Sequence, residues 1–315
     1  GLGRGGDPTI ENHGHLEIMI ELKSKTIVGA ADGPRLLITG GVHGDEFEPM
    51  TALRRLIEEI DPDDLKGTLQ IVPVVNESAF ARRHRCGDDG LDLARTCPGN
   101  LDGSITEQTA HALTQLINAA DYYIDLHTGG STMSVFPLAG YILHPDASTL
   151  AVQRRMARAF NLPLIWGTDA SLNGRSMSAA RDANVPAIYT EYHGAGRCEP
   201  AGVEAYIHGC LNVMNELGMI ERKFSPKRGA LIVEDTRPGS GHMQIQNPSP
   251  VAGFFESAVE LGSVIGEGEL LGIVTDPLGD APLEVRSRQK GMVIVLRTLP
   301  RVEQDDALAV ILEID

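Results

Sequence analysis

The residues of this chain whose types and spacing point most directly to chemistry are His43, Glu46 and His127. His43 and Glu46 stand three apart in His43-Gly44-Asp45-Glu46, and positions i and i+3 of a turn leading into a helix share one face. Both side chains can therefore reach one metal ion. His127 closes the apolar run Tyr122-Tyr123-Ile124-Asp125-Leu126 and offers a third donor. Two imidazoles and one carboxylate, with a fourth position left open, make a catalytic rather than a structural zinc site.

Such a site needs strand ends to hold it. The run Arg35 to Thr39 reads as a buried parallel strand that Gly40-Gly41 ends sharply, and open α/β sheets place their sites at the carboxyl ends of strands. The spacing predicts further strands over residues 14 to 22, 69 to 75, 122 to 127, 162 to 166 and 186 to 190. Helical spacing covers 46 to 60, 106 to 119, 147 to 160 and 199 to 217. Residues 76 to 104 form a long aperiodic stretch dense in Arg, Asp and Gly, and such stretches inside compact domains are usually functional. This alternation is the α/β signature of a mixed, mostly parallel sheet flanked by helices. Beyond about 225 the pattern changes to short β-rich runs separated by Gly and Pro turns. The expected division is a catalytic α/β domain over 1–226 and a small all-β, barrel-like domain over 227–315.

Composition narrows the function. A net charge of −16 argues against nucleic-acid or anionic-membrane partners. No apolar stretch approaches the ~20 residues that span a bilayer. No basic-then-apolar leader opens the chain, and the Gly-rich start without Met points to a truncated or appended end. Cys86, Cys97, Cys198 and Cys210 form no C-x-x-C pair, so reduced thiols and a cytoplasmic location are expected.

Five motifs in order carry a family resemblance. They are Gly40-Gly41-Val42-His43-Gly44-Asp45-Glu46, Val72 to Ala79, Asp92-Leu93-Ala94-Arg95-Thr96-Cys97-Pro98-Gly99, Asp125-Leu126-His127-Thr128-Gly129 and Tyr189-Thr190-Glu191-Tyr192-His193-Gly194. With them the chain resembles the succinylglutamate desuccinylase/aspartoacylase family of zinc-dependent enzymes along nearly its whole length. That resemblance implies a zinc-carboxypeptidase-like catalytic domain and one Zn2+ per chain on His43, Glu46 and His127. It implies Glu191 as general base and acid, and Arg85, with Arg82 and Arg83 as rivals, as the cation that polarises the scissile carbonyl. Arg95 would pair with a substrate carboxylate, Asp92 would orient a metal-bound His, and Arg181, ten residues before Glu191, matches a substrate-binding arginine by spacing. His144, His193 and Cys198 read as structural.

The sequence departs from the family at Ala94, where Asp-x-Asn-Arg would place Asn; alanine supplies no side-chain hydrogen bond. The segment Val259 to Gly272 resembles half of a biotinyl/lipoyl-type barrel, but Lys290 lies before Gly291 rather than at a hairpin tip, so the β region is expected to be structural or a wall of the site. The reading is an amidohydrolase that removes an acyl group from an N-acyl amino acid or related small amine; the acidic charge would suit an N-acetylated diamino acid. Two alternatives stand beside it. One is a carboxypeptidase-like peptidase, which Ala94 counts against. The other is a zinc-binding homologue without catalysis, which the strand-tip Glu191 counts against. Self-association is left open.

Overall fold

The computed structural model describes residues 20–223, 229–243 and 246–314. The first part contains strands β1 (Lys25–Val28), β2 (Ala31–Thr39), β3 (Lys66–Val72), β4 (Tyr122–Leu126), β5 (Met133–Ile142), β6 (Leu164–Thr168) and β7 (Ala187–Gly194). Its helices are α1 (Phe47–Glu59), α2 (Glu77–Arg82), α3 (Ile105–Asn118), α4 (Ala147–Phe160), α5 (Ser176–Asp182) and α6 (Pro200–Glu216). The remainder is strands: β8 (Leu231–Glu234), β9 (Gly253–Ser257), β10 (Val264–Ile265), β11 (Leu270–Thr275), β12 (Leu283–Arg286), β13 (Gly291–Arg297), β14 (Arg301–Val302) and β15 (Ala309–Leu312).

A large mixed sheet of eleven strands runs β1-β3-β2-β4-β7-β5-β13-β10, with β6 and β8 branching from β5 and β15 from β13. A second, four-stranded sheet, β12-β11-β9-β14, is antiparallel. Strands β2, β4 and β7 are parallel neighbours, in register at Thr39 opposite Asp125 and Leu126 opposite Thr190. Their carboxyl ends therefore lie side by side.

Both faces of this sheet are covered, as a parallel sheet requires. On one side α1, α4 and α6 pack Leu53, Leu56, Met156, Phe160, Tyr206 and Cys210 against Leu36 and Ile38. On the other, α3 and α5 bring Leu113, Ile117, Met177 and Ala180 against Leu37 and Tyr123. Leu53 and Leu56 are fully buried, each worth about 1.5–3 kcal/mol relative to exposure. Local signals start the helices: Ser104 and Glu107 form a capping box at α3, and Asp146 accepts the Thr149 N–H (2.7 Å) at α4.

Several expectations shift. Of the strand expected over 14–22, residues 14–19 lie outside the described residues and 20–22 are irregular; the edge strand beside β3 is β1 instead. The strand expected to reach Val75 ends at Val72, because Val75 and Asn76 turn their N–H groups to the carbonyls of Gly40 and Gly41. The aperiodic stretch contains α2, and β5 and α5 are additional elements. The boundary at 226/227 divides a continuous sheet: β8 pairs in parallel with β6, and β13 pairs with β5. No helix among the described residues is long and apolar enough to cross a membrane.

Candidate active site

Three adjacent strand ends assemble the site. The turn after β2 delivers His43 and Glu46, the end of β4 delivers His127, and Glu191 lies within β7, which runs on to Gly194 rather than ending at 190 as expected. Gly44 is required in that turn. A Cβ there would stand 2.0 Å from the Ala79 carbonyl carbon, so only glycine lets the His43–Glu46 turn dock on α2.

His43, Glu46 and His127 are buried, and one donor atom from each lies within 4.8 Å of the others. His43 Nδ1 faces Glu46 Oε1 at 2.7 Å, and His127 Nδ1 faces Glu46 Oε2 at 3.0 Å. The opposite ring nitrogens turn outward to carboxylates: His43 Nε2 to Asp92 Oδ1 (3.1 Å) and His127 Nε2 to Asp125 Oδ2 (3.0 Å). Each imidazole is thus pinned on its far side, the arrangement that orients ligating histidines. Burial works to raise the Glu46 carboxyl, but the adjacent His43 and His127 outweigh it and hold it below the usual range. Two nitrogens and a carboxylate oxygen in this cluster fit a divalent zinc-type ion.

These three residues line a cavity of about 350 Å³, a size suited to a small molecule. Glu191 is on its wall. Burial pushes the Glu191 carboxyl well above the ordinary range, and its Oε2 has no hydrogen-bond partner. Arg85 also lines the cavity, its Nε donating to Asp92 Oδ2 at 2.9 Å. Of its rivals, Arg82 turns to Gly87 O and Asp88, and Arg83 is the exposed left-handed cap of α2. Asp92 therefore touches both a candidate metal ligand and Arg85.

Arg95 lines the cavity. Arg181 does not. Its guanidinium is held by Ala170 O, Asn173 Oδ1 (2.8 Å) and Asp182 Oδ1 (2.7 Å), and it lines a separate hollow between α3 and α5. On this segment it is Arg175, six residues earlier, that reaches the cavity. Gly174 explains how: with φ +83°, it packs so tightly on the Arg95 backbone that a Cβ would lie 2.6 Å from Arg95 O. Burial, and the Arg175 charge beside it, depress the Arg95 guanidinium to about 10. Burial likewise lowers Arg175, whose buried Nη2 has no hydrogen-bond partner. Guanidinium groups crowded like this favour an anion between them.

Sequence reasoning also missed Asp125, hidden inside an apolar run, and the wall supplied by Met243, Val295, Arg297, Asp306 and Ala307. His144, His193 and Cys198 lie off the cavity wall. His144 contacts Arg181 O and the Asp146 N–H, His193 pairs with Glu199, and Cys198 is exposed.

A mixed α/β sheet with a His/Glu/His cluster and a buried carboxyl at its parallel strand ends defines a hydrolase class, and sequence comparison makes it specific. The model of the succinylglutamate desuccinylase/aspartoacylase catalytic domain matches residues 32–217. The chain belongs to that family. It is 31% identical over 294 residues to the N-alpha-acetyl-L-2,4-diaminobutyric acid deacetylase of Halomonas elongata, covering 92% of this chain and 85% of that one. Among solved structures, it is similar to the product-bound ectoine utilization protein EutE (DoeB) of Ruegeria pomeroyi, with a TM-score of 0.84, 28% identity and coverage of 93% and 89% of the two chains. A succinylglutamate desuccinylase/aspartoacylase from Rhodobacter sphaeroides gives a TM-score of 0.82 at 28% identity, with coverage of 93% and 89%. These relatives support amide hydrolysis on a small N-acyl amino acid.

Proposed function

We propose that this chain is a zinc-dependent deacylase that cleaves the amide of an N-acyl α-amino acid, with one ion held by His43, Glu46 and His127. The observation that carries the reading is Glu191: a buried carboxyl, unpartnered at Oε2, on the wall of the cavity those three residues share. A bound zinc ion would polarise the substrate carbonyl and acidify a water. Burial favours the protonated form of Glu191, so this side chain can accept a proton and pass it to the leaving nitrogen. Arg85, fixed by Asp92, presents a cation to the negative charge that develops on the carbonyl oxygen. Arg95 and Arg175 take the α-carboxylate; Arg175 replaces Arg181 in that role and offsets the donor missing at Ala94. One water is consumed, its oxygen ending on the released acyl group and a proton on the released amine.

The cavity, about 350 Å³ and partly lined by Met243, Val295 and Ala307, is of a size that favours a small molecule over a peptide. The Halomonas elongata deacetylase, whose name gives an N-acetylated amino acid as its substrate, supports the same class. The test is Glu191→Gln, which removes the proton carrier at constant volume. We expect zinc content and melting temperature to hold while turnover on an N-acetyl amino acid panel falls ~10²–10⁴-fold. Near-normal turnover would show that another group carries the proton.

A further inference from the structure

We infer that Tyr189 is a further substrate-binding residue, its hydroxyl donating a hydrogen bond to the α-carboxylate of the bound substrate beside Arg175. The inference rests on the deacylase reading above and names a residue that reading leaves unused. Tyr189 stands two residues before Glu191 on β7, and alternate residues of a strand share one face. Both line the cavity. The phenol reaches sideways out of β7. Gly140 is its register partner on β5, and a Cβ there would stand 2.5 Å from the Tyr189 hydroxyl oxygen, so only glycine leaves room for the ring to lie across β5. The hydroxyl makes no hydrogen bond to a described residue, and it is not one of the buried polar atoms left without one. Tyr189 is partly exposed, and its hydroxyl therefore opens onto the cavity that the residue lines.

The charges around the phenol indicate which part of a substrate it meets. Those that act on it are the Glu191 carboxyl and the Arg175 guanidinium. Burial raises the phenol above its ordinary range, so at neutral pH it stays protonated and can donate. In an N-acyl α-amino acid one carbon bears both the amide nitrogen and the carboxylate. With the nitrogen at Glu191 and the carboxylate at Arg175, a hydroxyl close to both groups reaches a carboxylate oxygen. A carboxylate accepts several hydrogen bonds, and a neutral donor adds one without crowding another cation against Arg95 and Arg175. Two competing roles make different demands. A phenol that moved a proton in the reaction would lower kcat on every substrate. A phenol that merely packed on Gly140 would matter to stability alone.

The experiment is Tyr189→Phe, which keeps the ring over Gly140 and removes only the hydroxyl. Steady-state kinetics compare the N-acetyl amino acid panel with the N-acetyl amines that lack the carboxylate, N-acetylalanine beside N-ethylacetamide among them. In parallel, calorimetry measures binding of the same compounds to zinc-loaded Glu191→Gln protein, with and without Tyr189→Phe, so that turnover does not interfere. We expect KM and Kd for the N-acetyl amino acids to rise about ten- to a hundredfold, the worth of one hydrogen bond to a charged group. The N-acetyl amines should change little, kcat should stay within about threefold, and the melting temperature should hold, because the hydroxyl gives up no partner in the protein. Tyr189→Leu should show the same selective loss if the first variant does not fold. KM and Kd within threefold of the parent overturn the inference, as does a fall in kcat or in binding that both substrate types share. If wild type hydrolyses none of the panel but Tyr189→Phe still weakens binding of the N-acetyl amino acids alone, the deacylase reading fails and the Tyr189 assignment stands. If wild type hydrolyses the panel and Tyr189→Phe leaves binding unchanged, the reverse holds.

Discussion

Replacing Asp125 by Asn probes whether the proposed metal site depends on what stands behind its proposed ligands. Asp125 is fully buried and holds His127 Nε2 at 3.0 Å, while its oxygens also accept from the Thr39 hydroxyl (2.8 Å) and the Ser176 hydroxyl. Alanine would be a poor probe: it would strand two buried hydroxyls at about 1–3 kcal/mol each and confound binding with stability. Asparagine keeps the volume. With its carbonyl turned to His127 and Ser176, its amide would donate to Thr39, whose hydroxyl can in turn donate to the Tyr123 hydroxyl at 2.8 Å. What is removed is mainly the negative charge that makes the imidazole a better donor toward the ion. Loss of such a partner typically weakens metal binding ~10- to 100-fold, or about 1.4–2.7 kcal/mol. Asp92→Asn should fall at the lower end, because Asp92 is partly exposed and already shares its charge with Arg85. Competition with a chelator of known zinc affinity measures both constants, and urea melts separate the stability change. Zinc affinity within threefold of wild type for Asp125→Asn, with only stability lost, would refute the reasoning and make Asp125 a folding residue.

Two further outcomes follow from the arginine cluster. Arg175→Ala should raise KM for N-acetyl amino acids by about ten- to a hundredfold while the corresponding N-acetyl amines, which lack the carboxylate, change little; steady-state kinetics on matched pairs checks this, and equal losses on both would move Arg175 out of the carboxylate site. Ala94→Asn should not improve the native reaction, because Arg175 already supplies a donor; a clear rise in kcat/KM on substrates with an α-carboxylate would show that the clamp is incomplete.

What the sequence reveals and what it hides divide along physical lines. Helices α1, α4 and α6 are amphipathic over at least three turns, so their period is visible, and α4 matches residue for residue. His43, Glu46, His127 and Glu191 sit at the ends of apolar runs, where the change from buried to polar residues marks them. Strand β5 was invisible because Pro137 and Gly140 break its pattern; its register against β7 shifts between Val135 and Leu138, a bulge around the proline that has no N–H to give. Helix α5 is seven residues of mostly small side chains and shows no period. Arg175 stood in a Gly- and Ser-rich loop, and only the docking of Gly174 on Arg95 gives it a role. Spacing to Glu191 favoured Arg181 instead, because counting residues cannot show which way a short helix turns them.

The C-terminal strands bear on the site through the sheet itself. Strand β13 pairs Val295 with Val135 of β5, and β5 pairs Leu138 with Glu191 of β7. The sheet therefore connects the C-terminal region to the proposed proton carrier, across the bulge between Val135 and Leu138. Val135, Leu138, Leu164 and Trp166 share one buried cluster with Ile294, Val295, Val310 and Leu312. Ending the chain at 226 would strip half of that cluster and the β13 side of β5 at once, so loss of activity in such a fragment would report unfolding as much as a missing wall. The informative changes are those at side chains that face the cavity and leave the ladder intact. Arg297 and Asp306 meet that condition, and they meet each other at 2.8 Å on the cavity wall. A substrate that reaches them must displace or join an existing ion pair, so neutralising either partner tests the wall without cutting the ladder.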